Sequence, residues 1–199
     1  MIFIYQFLFL VATYFICAIP FGLVLTQFFL KTDIRNSGSG NIGATNVTRI
    51  AGKKLGALTL LLDSFKGALM VIGGRFLFEQ ATHLHLFLVI VSLIAVLAHI
   101  YPVYLNFKGG KGVATALAVL LALDPNVGFV AAIMWVAFFL IFRISAVSSL
   151  VAIFSSIVTS LYYNAPFSES ILCIILFIVI AFRHKENIAR LLAGQEKKM

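Results

Sequence analysis

Gly112-Val113-Ala114-Thr115-Ala116-Leu117-Ala118-Val119-Leu120-Leu121-Ala122-Leu123 is an uncharged run of 12 residues, and whether it crosses a bilayer decides the fold. A membrane-spanning helix needs about 20 mostly apolar residues, and runs of about 10–14 often prove re-entrant or merely buried. Around it, uncharged runs extend over 2–30, 80–107, 125–142, 144–168 and 170–182, and 55–74 carries only Asp63 and Lys66. Counting the short run, the chain holds seven candidate membrane helices. If all seven cross, the segments 31–53 and 106–111, the point at Arg143 and the tail from Arg183 emerge on one side. Thirteen of the 15 Lys and Arg then share that side: Lys31, Arg35, Arg49, Lys53, Lys54, Lys108, Lys111, Arg143, Arg183, Lys185, Arg190, Lys197 and Lys198. Glu79, Asp124 and Glu169 fall on the other side with Arg75, while Lys66 lies inside a helix. Basic residues favour the cytoplasm, which puts the N-terminus outside and the C-terminus inside. Without a crossing at 112–123, Arg143 and the basic tail would face outward. The expected fold is therefore an all-α integral membrane protein of seven transmembrane helices, forming one polytopic domain over 1–199.

Composition excludes the soluble classes. Of 199 residues, 62% are hydrophobic and 11% charged, with a mean hydropathy of +1.08; soluble chains carry about 25% charged residues. Seven helices of about 20 residues consume about 140, which leaves no room for a second domain. The net charge of +8 suits anionic headgroups or a phosphorylated ligand. Cys17 and Cys173 lie in apolar runs and read as buried thiols, with neither a disulfide nor a metal site indicated. The first apolar run has no preceding basic residue and no small-residue cleavage site, so it reads as a retained helix, distinct from a cleaved leader.

Three polar segments carry the candidate chemistry, and all fall on the basic side. Asn36-Ser37-Gly38-Ser39-Gly40-Asn41-Ile42-Gly43-Ala44-Thr45-Asn46-Val47-Thr48-Arg49 contains G-x-G-x-x-G, but no strand precedes it, so a dinucleotide fingerprint fails on context. Its glycines let backbone N–H groups converge on an anion. Ser39, Asn41, Thr45 and Asn46 add neutral donors, and Arg49 suits a bidentate phosphate contact. Lys108-Gly109-Gly110-Lys111-Gly112 sets two lysines at a helix start, where unpaired N–H groups and the macrodipole favour a negative ligand. Arg183-His184-Lys185-Glu186-Asn187-Ile188-Ala189-Arg190 places His184 and Asn187 on one face and spaces Glu186 and Arg190 for an i,i+4 pair; His is the usual base near neutral pH.

Other features read more plainly. Gly52 and Gly56 form a G-x-x-x-G with a packing role. Asp63 and Lys66, three apart, neutralise one another in the membrane or line an ion path. His83 and His85 read as interfacial, and His99 as a packing residue or a support for the site. Acids are scarce on the basic side, where only Asp33, Glu186 and Glu196 occur and none has metal-ligand spacing. No metal is therefore expected, and Lys, Arg and backbone N–H groups would stabilise charge instead.

Taken in order, the motifs have a family likeness. Ile19-Pro20-Phe21-Gly22, the glycine segment with Arg49, Leu62-Asp63-Ser64-Phe65-Lys66-Gly67, His99-Ile100-Tyr101-Pro102-Val103 leading to Lys108–Thr115, and His184-Lys185-Glu186-Asn187-Ile188 with Arg190-Leu191 and Gly194-Gln195-Glu196 closely resemble the bacterial acyl-phosphate:glycerol-3-phosphate acyltransferase family, PlsY. The resemblance implies transfer of a fatty acyl group from acyl phosphate to the sn-1 hydroxyl of glycerol 3-phosphate. The products are lysophosphatidic acid and phosphate, and the reaction is the first acylation of phospholipid synthesis. It implies no cofactor. Its implied partners are acyl phosphate, glycerol 3-phosphate and membrane lipid, with neither nucleic acid nor an obligate protein partner. The implied location is the bacterial cytoplasmic (inner) membrane, with the active site at the cytoplasmic face. No His is followed five residues later by Asp, so the H-x4-D signature of other glycerolipid acyltransferases is absent.

Residue by residue, the likeness assigns glycerol phosphate to Ser39 and Arg49 with His184 and Asn187, helped by Gly38, Gly40 and Asn41. It assigns the acyl-phosphate headgroup to Lys108, Gly109, Gly110, Lys111 and Gly112, with Ser148 or Ser149 nearby. The base is either His184 or a phosphate oxygen of the substrate. A small transporter for a phosphorylated solute is the alternative, motivated by Asp63 and Lys66, but it calls for polar residues reaching both surfaces. A lipid-binding scaffold would not need glycine-rich anion loops.

Overall fold

A computed structural model describes residues 2–199, and every regular element among them is helical. The first apolar run is two helices, α1 (Ile2–Cys17) and α2 (Phe21–Leu30), because Pro20 lacks an N–H and interrupts the ladder. The Ile19 carbonyl exposed at that break accepts a hydrogen bond from Lys66 Nζ at 2.8 Å. A 3-10 turn, Ile34–Asn36, leads into α3 (Ala44–Leu77). This helix begins well before the expected apolar segment at 55–74, so Thr45, Asn46 and Arg49 are helical where a loop was expected.

Gly52, at φ 85° and ψ 169°, interrupts α3. Only glycine reaches that backbone region without strain. The interruption folds the first two turns back so that Thr48 packs against Gly56, where a Cβ would not fit. The expected packing role is thus met by Gly56 alone, against Thr48 of the same segment, whereas Gly52 has open space where a Cβ would sit and serves the kink.

The helices α4 (Leu84–Ile100), α5 (Val113–Leu123), α6 (Pro125–Phe142), α7 (Ser145–Tyr162) and α8 (Phe167–Arg183) follow. Beyond His184 the chain turns by 63° into α9 (Lys185–Leu192). Asp124 caps α6, its Oδ1 accepting from the N–H of Asn126 at 2.8 Å, with Pro125 at the first position, where its missing donor costs nothing.

The short helix α5 is about 16 Å long at 1.5 Å per residue. It lies against α3 along its whole length. Thr115 Oγ1 donates to the Asp63 carbonyl at 2.9 Å, and Thr115 and Val119 crowd Gly67. At the other end Arg75 Nη2 donates to the carbonyls of Ala122 and Leu123, both at 2.9 Å. These carbonyls are the unpaired ones of a helix end, and Arg75 lies in the last turn of α3.

The core, with Val91, Ala95, Val96, Ala116, Val119, Leu120, Leu176 and Ile180 fully buried, sits where α3, α4, α5 and α8 meet. Cys17 and Cys173 are free and buried. Outside this core the apolar surface is exposed, with Phe3 at 77%, Phe76 at 76% and Phe167 at 81%. An apolar belt of that extent is untenable in water and matches lipid. Five helical segments are long and apolar enough to cross a bilayer, or six if α8 and α9 form one bent span; α5 is shorter. The protein is a helical integral membrane protein.

Candidate active site

A cavity of about 530 Å³ opens at the end of the bundle where α3, α5 and α7 begin. Ala44 and Thr45 from the first turn of α3, Val113 and Ala114 from α5, and Ser145 and Ala146 from α7 all line it. Three helix N-termini therefore present unpaired N–H groups and positive dipole ends to one space. Arg49, Lys111, Arg190 and Lys197 add cations, and Leu60, Leu117, Ala132, Trp135 and Val136 make an apolar wall. An anionic head beside an apolar chain fits that division.

Of the expected residues, the cavity gathers Gly38, Ser39, Asn41, Arg49, Lys111, Gly112, Ser149, His184 and Asn187. Gly40, Lys108, Gly109, Gly110 and Ser148 are outside its lining. Gly40, at φ 69°, shapes the turn, and Lys108 is exposed. Ser148 is fully buried with its hydroxyl donating to the Ile144 carbonyl at 3.0 Å. Ser149 also bonds back, to the Ser145 carbonyl at 2.7 Å, and receives Trp135 Nε1 at 3.2 Å. The Thr45 and Ser145 hydroxyls meet at 3.0 Å, which ties α3 to α7.

The first glycine turn is held from inside. Asn46 Oδ1 accepts from the Ser39 N–H at 2.9 Å, while Nδ2 donates to the carbonyls of Ser37 at 3.0 Å and Asn41 at 2.9 Å. Asn46 is only 2% exposed, so its side chain builds the turn; the sequence reading had made it a donor to an anion. Asn41 Oδ1 accepts from the Gly43 N–H at 2.8 Å and sets up the start of α3. Arg49 has no ion pair or hydrogen bond among the described residues and is exposed at the cavity rim.

The second turn packs differently. The N–H groups of Gly109 and Gly110 bond the carbonyls of Ile100 and His99 at 3.0 and 3.2 Å. A Cβ on Gly109 would strike backbone, and one on Gly110 would strike the His99 ring. Arg183 clasps the turn by donating to the Gly109 carbonyl at 3.1 Å. Lys111 then reaches the cavity and hydrogen-bonds Asn187 Oδ1. Burial lowers the Lys111 ammonium to a pKa of about 8.

The tail closes the site. Asn187 Nδ2 donates to Glu196 Oε1 at 2.6 Å, and Arg190 pairs with Glu196 Oε2 at 2.6 Å. The expected partner of Arg190 was Glu186; the turn after α9 brings Glu196 back instead. Sequence reasoning missed Lys197 and Trp135, for which spacing offered no signal. His184 Nδ1 lies 2.8 Å from the Ile180 carbonyl, so Nδ1–H donates and Nε2 is left as an acceptor. Burial, with Lys111 nearby, pushes His184 down to a pKa of about 4, and the ring is neutral at physiological pH.

At the cavity floor, Asp63 and His99 of the lining form a buried cluster with Lys66. Lys66 Nζ contacts Asp63 Oδ1 at 2.7 Å and His99 Nδ1 at 3.1 Å. The contact between Asp63 and Lys66 favours neutralisation over an ion path, because both charges are consumed within the protein.

Fold and site together define a multi-pass membrane protein with a cationic cavity of about 530 Å³ against an apolar wall. Residues 7–194 match the sequence model of the glycerol-3-phosphate acyltransferase family, and the chain belongs to that family. The glycerol-3-phosphate acyltransferase of Myxococcus xanthus (strain DK1622) is 48% identical over 181 residues, 91% of this chain and 93% of the relative. That of Anaeromyxobacter sp. (strain Fw109-5) is 43% identical over 192 residues, 94% of this chain and 93% of its own. A crystal structure of PlsY (YgiH), an integral membrane glycerol 3-phosphate acyltransferase in its glycerol 3-phosphate form, is 37% identical and covers 98% of this chain and 95% of its own, with a TM-score of 0.91. Its lysophosphatidic acid form gives 36% and 0.87.

Proposed function

We propose that this protein transfers a fatty acyl group from acyl phosphate to the sn-1 hydroxyl of glycerol 3-phosphate, opening phospholipid synthesis at the cytoplasmic face of a bacterial inner membrane. The observation that carries the reading is the convergence of three helix N-termini and four cationic side chains on one cavity with an apolar wall. Both substrates bear phosphate and would repel one another. Fixed N–H groups and cations offset that repulsion and hold the reactants close.

Arg49 and Ser39 take the glycerol phosphate, and Lys111 with the start of α5 at Gly112 takes the acyl-phosphate headgroup. Asn187 holds Lys111 in place, Ser149 lines the wall beside Trp135, and Gly38 and Asn41 shape the first turn. Lys108, Gly109, Gly110, Gly40 and Ser148 support these residues from outside the lining. The hydroxyl oxygen attacks the acyl carbonyl carbon, an ester C–O bond forms, and the bond from that carbon to the phosphate oxygen breaks. His184 Nε2 accepts the hydroxyl hydrogen bond and so aims the oxygen. The proton passes to a phosphate oxygen: a phosphate monoester with a second pKa of about 6 is a stronger base than the His184 ring. Acyl phosphate is already activated, so the step needs no covalent enzyme intermediate, cofactor or protein partner.

Seven crossings follow from the same reading. The contact of Arg75 with the last carbonyls of α5 supports a short helix that reaches the level where α3 ends. The chain would then have its N-terminus outside and its C-terminus inside, as one domain. Incubating purified protein in lipid with acyl phosphate and labelled glycerol 3-phosphate, and in parallel with acyl-CoA, tests the function. Labelled lysophosphatidic acid from acyl phosphate alone is expected; none from acyl phosphate would overturn the reading.

A further inference from the structure

The buried cluster at the cavity floor has a hydrogen-bond arrangement that the proposed chemistry has not used. Lys66 is 3% exposed and its ammonium has three hydrogens. The structure supplies three acceptors: Asp63 Oδ1 at 2.7 Å, the Ile19 carbonyl at 2.8 Å and His99 Nδ1 at 3.1 Å. Donation from Lys66 makes His99 Nδ1 the lone-pair nitrogen. In a neutral imidazole the other nitrogen, Nε2, then carries the hydrogen. Asp63 Oδ1 is also 3.5 Å from His99 Nδ1, too far for a good hydrogen bond.

Among the described residues His99 Nε2 has no hydrogen-bond partner. It lies beside Gly110, where any side chain would collide with it, and His99 is one of the residues lining the cavity, next to Asp63, Ser64 and Gly112. This N–H makes no hydrogen bond to the described residues and is not sealed from the cavity, so it is available to a ligand in the space where Lys111 and the start of α5 await an anion. Gly110 is thus glycine because it leaves room for this nitrogen.

We propose that His99 is a substrate-contacting residue, its Nε2–H donating to an oxygen of the acyl-phosphate group, with Lys66 and Asp63 fixing the ring in that tautomer. This rests on the acyl-phosphate reading above. All three protons of the Lys66 ammonium have fixed acceptors, one of them the His99 ring, so the cluster acts as a positioning device.

Two substitutions separate the two nitrogens. His99→Asn keeps an acceptor near Nδ1 for Lys66 but removes the Nε2 donor. His99→Gln brings an amide N–H toward the Nε2 position. Loss of a hydrogen bond to a charged oxygen corresponds to about 10- to 100-fold. The expected result is a folded H99N whose kcat/KM for acyl phosphate falls by that factor, with the KM for glycerol 3-phosphate unchanged and partial recovery in H99Q. An H99N rate within twofold of the wild type would overturn the proposal while leaving the acyltransferase reading intact. Wild-type protein that makes no lysophosphatidic acid would overturn that reading instead.

A measurement on the unmodified protein covers the case in which H99N fails to fold. In 15N-histidine NMR of wild-type protein, a non-hydrolysable acyl phosphonate is expected to shift a protonated Nε2 signal that remains in H184Q. An Nδ1-protonated His99, or an Nε2 signal indifferent to the phosphonate, would refute the assignment.

Discussion

The two glycine-rich turns of this protein look alike in sequence and serve opposite ends. In the first, Gly38 and Gly40 adopt positive φ, and Asn46 draws the turn together so that Ser39, Asn41 and Arg49 face the cavity. In the second, Gly109 and Gly110 turn inward against His99, Ile100 and Pro102, and only Lys111 and Gly112 reach the cavity. One turn uses glycine to expose functional groups; the other uses it so that a loop can press against a buried histidine. A glycine cluster beside lysines therefore does not by itself mark an anion cradle, and the contacts of each missing Cβ decide which kind it is.

Substitutions break the comparison in a predictable order. Arg49→Ala and Lys111→Met remove cations facing substrate, and each is expected to lower kcat/KM by about a hundredfold, consistent with losing one or two charge-assisted hydrogen bonds. The losses should separate by substrate, Arg49 acting on glycerol 3-phosphate and Lys111 on acyl phosphate. Steady-state kinetics with each substrate varied in turn would check this, and unchanged kinetics in R49A would remove that assignment. Gly110→Ala should lower stability by about 1–3 kcal/mol of overpacking, read as an earlier thermal transition in detergent, and should lower kcat/KM for acyl phosphate as well, because the added Cβ displaces His99 Nε2. Asn46→Ala should do both, because it leaves the Ser39 N–H without its partner and loosens the residues that face substrate.

A smaller effect comes from pH. Lys111, lowered by burial to about 8, is charged below that value and neutral above it. The kcat/KM for acyl phosphate, which reports the free enzyme, is therefore expected to fall as pH rises from 7 to 9. In kcat the same fall should come at higher pH, because bound phosphate favours the ammonium. Smallest of all is Ser148→Ala, expected to stay within about twofold, since that hydroxyl bonds its own helix and lies outside the cavity lining.

The sequence made some of this legible and hid the rest for physical reasons. Charge placement pointed to one functional face, and the cavity draws on all three polar segments named in advance. Helical spacing correctly put His184 and Asn187 together, because i,i+3 neighbours share a face whatever surrounds them. The kink at Gly52 was hidden because helical and broken backbone share one composition there. Asn46 was misread because a buried amide and a ligand-facing amide look the same in sequence. Arg190 found Glu196 over Glu186 because the chain reverses after α9, a tertiary event that spacing within a helix does not encode. The role of His99 depended on Lys66 and Ile19, residues brought together only by folding.

The central claim is that the cavity joins two phosphate-bearing substrates directly, without metal or enzyme-bound intermediate. The most direct measurement is a single-turnover reaction of purified protein with acyl phosphate and labelled glycerol 3-phosphate in the presence of a chelator. Lysophosphatidic acid and inorganic phosphate are expected to appear together, one for one and at an undiminished rate. Phosphate released ahead of lysophosphatidic acid, or a reaction abolished by the chelator, would contradict the account.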